Sequence, residues 1–154
     1  MFALNIPSLG ADAVQWSLFA LRVVLGLVIF PHGMQKLLGW FGGYGFKGTM
    51  GYLTGQAKLP WLVALLVILG EAFGSLGLIV GLLTPIAALG IGAIMLGAAW
   101  TVHRRNGFFM NWSGQQKGEG YEFHVLAAGI ALVLVIYGGG ALSLDSVLFS
   151  RAAG

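Results

Sequence analysis

From Leu59 to Val102 the chain carries a single charge, Glu71. At about 1.5 Å per residue, one helix of that length would run roughly twice the 30 Å depth of a bilayer's hydrocarbon core. The stretch must therefore turn back, and Thr84-Pro85 marks the place. Thr84 can cap a helix start, and Pro85 fits the first turn, where its missing N–H costs nothing. Glu71 then falls near the middle of the first of two spans. A carboxylate at that depth costs on the order of 3 kcal/mol on insertion scales, so it reads as functional by default.

The rest of the composition agrees with a bilayer as solvent. Charged residues are 8% of the chain and mean hydropathy is +0.88, whereas soluble domains average about 25% charged residues. The expectation is an all-α, integral membrane four-helix bundle forming a single domain over residues 1–154. The formal net charge of +3 rests on eight Lys and Arg with no dense patch, which argues against nucleic-acid binding. There is no cysteine, which excludes thiol–disulfide chemistry, Fe–S clusters and thiolate metal sites within this chain. Met1 to Gly10 lacks a basic segment, so no cleaved signal peptide is expected.

Four spans are expected, at about 14–38, 60–83, 85–103 and 121–144, after a lead-in over residues 1–13. Pro31 frees the Leu27 carbonyl, and a bend in the first span is expected there. Between spans one and two, Trp40, Phe41, Tyr44, Phe46 and Tyr52 mix with Lys47 and Lys58, which suits a short reentrant or interfacial segment. In span two, Gly70, Gly74, Gly77 and Gly81 form a ridge for close helix packing, within the bundle or between subunits of a homo-oligomer. Lys36, Lys47, Lys58, Arg104, Arg105 and Lys117 fall on the face of the two long loops, against Arg151 on the other. The positive-inside rule then places the long loops in the cytoplasm and both termini outside.

Polar residues gather toward the long-loop face. Counted from that boundary, His103, Glu122 and His124 lie within roughly 6 Å, Lys36 at it, His32 at about 9 Å, Glu71 at about 16 Å and Arg22 at about 24 Å. Arg22 and Glu71, of opposite sign, are within reach of a buried ion pair. The alternative for Glu71 is a proton carrier. His32, Gln35 and Lys36 share one helix face and would offer donors to a ring carbonyl. The bland readings are a histidine bonded to the carbonyl freed by Pro31 and a snorkelling lysine. Tyr121-Glu122-Phe123-His124 reads as a span start with an acid at the helix N-terminus, which leaves His124, inside the apolar run, unexplained. No spacing among the histidines and acids is a helical metal signature, and no bound metal is expected.

Pro31-His32-Gly33 with Gln35-Lys36-Leu37, Phe41-Gly42-Gly43, Gly70-Glu71 with Gly74, Gly81-Leu82 with Thr84-Pro85, His103 with Gly107-Phe108-Phe109, Tyr121-Glu122-Phe123-His124, and Gly140 to Asp145 together resemble the DoxX family of small bacterial membrane proteins. The resemblance runs from about Arg22 to Asp145. It implies a four-helix transmembrane bundle and a loose link to membrane redox chemistry, since related proteins include the large subunit of a thiosulfate:quinone oxidoreductase. The wider group resembles vitamin K epoxide reductase, whose chemistry needs cysteines this chain lacks.

The leading expectation is a bacterial inner-membrane protein that binds a quinone-like molecule and serves a redox protein partner, as an enzyme or a subunit of one. Glu71, His32, His124 and Glu122 would act on protons, with Arg22, Gln35, Lys36, His103, Phe108 and Tyr121 around the ligand. The alternatives are a non-enzymatic membrane anchor or assembly subunit, and a small proton-linked transporter.

Overall fold

The computed structural model describes residues 6–149, with side chains from residue 10 onward. Residues 1–5, which belong to the expected lead-in, and Arg151, which entered the charge count, lie outside the described residues. The chain is all-helical: α1 (Ile6–Leu37), α2 (Gly45–Gly55), α3 (Trp61–Val80), α4 (Thr84–Thr101), α5 (Glu122–Tyr137) and α6 (Leu144–Phe149), with short 3-10 turns at Trp40–Gly42 and His103–Asn106. Residues 10–37, α3 and α4 are each long and apolar enough to cross a membrane, and α5 is a shorter apolar helix. Packed α1 to α3, α3 to α4, α4 to α5 and α5 to α1, they form a bundle whose outer faces expose large apolar residues such as Leu62, Leu89, Leu126 and Ile136. Only a lipid environment suits such a surface.

Several boundaries differ from expectation. Residues 6–13 continue α1 rather than leading into it, and Pro31 lies inside that helix. The fourth span stops at Tyr137, short of Leu144, because Gly138 and Gly140 take positive φ (72° and 71°) and end the helix.

The α1–α3 crossing sets the geometry of everything above it. A Cβ on Gly33 would stand 2.6 Å from the Ala72 Cα, and one on Gly26 would stand 2.9 Å from the Ser75 carbonyl oxygen. The two backbones therefore touch, as small residues permit in membranes. Gly33 is four residues from the end of α1, whereas Ala72 is eleven residues from the start of α3. At 1.5 Å per residue, α3 overhangs α1 by about 10 Å. The segment from Gly39 to Leu59 fills that step: α2 buries Met50 and Leu53 against Ala64 and Ile68 of α3. On the far side, Leu25, Ile29, Leu78, Ile91, Met95, Ala127 and Leu134 make the main core.

The short-turn end of the bundle is clasped by Arg22 and Asp145. Arg22, 1% exposed, donates to the carbonyls of Leu78 (2.7 Å), Ile79 (2.8 Å) and Leu142 (2.6 Å). The first two are orphan carbonyls at the C-terminus of α3. Asp145 accepts from the backbone N–H of Leu83 (2.6 Å) and Thr84 (2.8 Å), capping α4 from outside the helix. The expected cap by Thr84 is not made: Thr84 is already helical, and its buried Oγ1 has no partner. Gly81, at φ 75°, is held between these groups, and a Cβ there would stand 2.7 Å from the Arg22 guanidinium.

Candidate functional site

The expected Arg22–Glu71 pair does not form. Glu71, 3% exposed, is bound instead by the Lys36 ammonium, whose Nζ donates to Oε2. One rule accounts for both departures. Side chains on a helix lean toward its N-terminus. In α1 that tilt carries Arg22 away from the level of Glu71, toward the C-terminal carbonyls of α3. It carries Lys36 inward, toward Glu71, rather than outward to the headgroups. The overhang of α3 completes the match, since it brings Lys36 near the level of Glu71.

The pair lines a cleft of about 1110 Å³. Ile29, His32 and Lys36 of α1, Tyr52 and Leu53 of α2, Val63 to Gly74 of α3, Ile86 to Thr101 of α4, and Phe123 and His124 of α5 contribute to its walls. Met110 and Glu119, from the loop between α4 and α5, complete it with His103. The charged and imidazole groups, Lys36, Glu71, His32, His103, His124 and Glu119, occupy the half toward the long loops. The half toward the α3–α4 turn is apolar.

The histidines are placed by different elements. His32 follows Pro31 in α1, and its ring lies 6.3 Å from that of Phe123. His124, in the first turn of α5, is 7% exposed, and its Nδ1 has no hydrogen-bonding partner. Its ring is 4.1 Å from that of His103, between centroids. His103 Nδ1 lies 2.9 Å from the carbonyl oxygen of Glu119. A carbonyl can only accept, so that nitrogen carries a proton. Among the described residues, no three His, Cys, Asp or Glu side chains are grouped to hold a metal ion.

Of the residues singled out in the sequence, Glu71, His32, Lys36, His103 and His124 converge on the cleft, and five others do not. Arg22 is in the clasp at the opposite end. Glu122 accepts from the Met110 N–H (2.8 Å) and from Trp112 Nε1 (3.3 Å), so its carboxylate ties the loop to the start of α5. Gln35 donates to the Phe41 carbonyl (3.2 Å) and holds the turn after α1. Phe108 and Tyr121 pack edge to face on each other, 5.4 Å apart, outside the cleft. Tyr52, Met110 and Glu119 are lining residues that sequence reasoning missed. Tyr52 belongs to a segment read as interfacial, and nothing in the loop's pattern marks the other two.

A bundle of apolar helices with a polar-ended cleft between them defines a multi-pass membrane protein. The DoxX family profile matches residues 17–104, more than half of the chain, and the chain belongs to that family. It is 29% identical over 129 residues, covering 84% of each chain, to the Bacillus subtilis (strain 168) protein named "Putative oxidoreductase CatD". No solved structure matches.

Proposed function

We propose that the cleft binds a quinone-like, lipid-soluble molecule and that the protein assists its proton-coupled reduction or oxidation by a partner redox protein. The observation that carries the reading is a buried His124 Nδ1 without a partner, beside a Lys36–Glu71 pair, at the polar end of an otherwise apolar cleft. An unpaired buried polar atom costs about 1–3 kcal/mol, and a ligand carbonyl or hydroxyl in the cleft would offer it a partner once the imidazole turns to meet it. Lys36 carries donors beyond the one given to Glu71, and these suit a carbonyl oxygen. Reduction of a quinone to the quinol takes two electrons and two protons. The electrons come from the partner, since the chain has no cysteine to carry them. The imidazoles of His32 and His124 and the Glu71 carboxylate exchange the protons. The name of the Bacillus subtilis relative supports an oxidoreductase role at the level of class. The bilayer would be the bacterial inner membrane, with the long loops cytoplasmic. Lys36 leaves the positive-inside count because Glu71 engages it, and Lys47, Lys58, Arg104, Arg105 and Lys117 still give the same orientation.

Equilibrium binding of decylubiquinone to the purified protein tests the reading. Wild type is expected to bind saturably at one site, and Glu71→Gln to bind at least about tenfold more weakly while remaining folded, a loss of about 1.4 kcal/mol. Unchanged binding in Glu71→Gln removes the carboxylate from the site.

A further inference from the structure

Along α4 the cleft extends from Ile86 to Thr101, which at 1.5 Å per residue is about 22 Å. That is much of the depth of a bilayer core, and far more than a single ring fills. Ile86, Gly90, Ala93 and Gly97 recur at spacings of four, three and four, so they share one face of α4. All four line the cleft, opposite Phe73 of α3. A Cβ added at Gly90 or at Gly97 would meet nothing within 4 Å, so the missing side chains leave open space rather than a close helix contact. Ile86 and Phe73 are 67% and 60% exposed, which leaves this part of the cleft open sideways to lipid.

Small residues alone would leave only a gap for lipid. The same cleft also holds His124, more than nine-tenths buried with an unpartnered Nδ1, and this points to a ligand with a polar head at one end. We infer that the ligand is a long-tailed, membrane-resident quinone whose ring sits by His103 and His124 in the half of the cleft toward the long loops and whose isoprenoid or alkyl tail lies along the α3–α4 groove past Gly97 and Gly90. This rests on the quinone reading above. The tail exchanges lipid contacts for groove contacts of equal polarity, so it adds little affinity. It imposes a shape: a bound ring must have room to lead its tail out, and the two glycines provide that room. Access is lateral, from the bilayer, and no water-filled passage is needed.

Two probes separate head from tail: duroquinone, which has none, and decylubiquinone. Each is titrated against wild type, the Gly90→Leu/Gly97→Leu variant, and Gly129→Leu, whose site on α5 is equally open but outside the cleft. Leucine is a better helix former than glycine, so the substitutions do not weaken the helices. The double variant is expected to bind decylubiquinone about tenfold more weakly and duroquinone as wild type does, with Gly129→Leu unchanged for both. Equal loss of both probes in the double variant, no loss of either, or the same loss in Gly129→Leu overturns the tail path and leaves the ring site standing. Absence of binding of either quinone to wild type overturns the quinone reading, and the tail path with it.

Discussion

Lys36 reaches inward from the last turn of α1 to the carboxylate of Glu71, halfway along α3, just beyond the point where the Gly33 and Ala72 backbones touch. The ion pair is thus a consequence of the crossing. Seven residues of overhang at the top of α3 put a residue near the end of one helix level with the middle of the other. The Lys36 side chain is 29% exposed and that of Glu71 4%, so the two have unequal access to any solvent in the cleft.

Removing the cation alone leaves a buried carboxylate without its partner. Lys36→Met is expected to lose about 2 kcal/mol of stability, less than the 3–5 kcal/mol of a fully buried pair because Lys36 keeps some exposure. The double variant Lys36→Met/Glu71→Leu should return to within about 1 kcal/mol of wild type, since neither charge remains. Unfolding of the four proteins in one detergent gives the cycle. Additive losses would show that the two groups do not interact.

The clasp at the other end predicts a purely structural phenotype. Arg22→Leu strips donors from three carbonyls and should lose about 3 kcal/mol. Asp145→Ala uncaps α4 and should lose about 1–2 kcal/mol. Neither should change quinone affinity in the protein that stays folded. A selective loss of binding in Arg22→Leu at unchanged stability would restore the arginine to the ligand site.

Two glycines in the membrane helices should behave oppositely. Gly33→Val drives a side chain into the Ala72 backbone and is expected to abolish assembly of the bundle, read as loss of a monodisperse peak on size exclusion. Gly90→Ala places its methyl in open space and should raise stability by about 0.5–1 kcal/mol through helix propensity.

His124→Phe separates binding from folding. It removes a buried nitrogen that has no partner, so the melting temperature should hold or rise, while quinone affinity falls about tenfold or more, about 1.4 kcal/mol. A fall in melting temperature with affinity intact would mean that the imidazole serves packing alone.

The membrane class, the four apolar helices and the special standing of Glu71 were legible in the sequence because lipid imposes them on composition and charge. Lys36 as its partner was not, because depth was counted from a shared boundary that the overhang of α3 removes. The spacing of Arg22, Gly26, Ile29, Gly33 and Lys36, alternating four and three, is the seam that packs on α3, and it carries the information that both cations lie on one face. Their divergence follows only when side-chain tilt is added. Glu122 shows a different limit. Its position at a helix start was evident, but whether the carboxylate turns into the bundle or onto its own loop depends on the path of residues 104–120, which no periodicity records. Asp145 likewise caps a helix begun some sixty residues earlier, a long-range partner invisible to local pattern.

Photolabelling with an azido-quinone in native membranes, followed by peptide mapping, tests the central claim most directly. Adducts confined to the cleft, at His32, Tyr52, Met110 or His124, and lost when excess decylubiquinone competes, are the predicted result. Labelling spread over the outer lipid-facing residues, such as Leu62, Leu126 and Ile136, and insensitive to competition would contradict it.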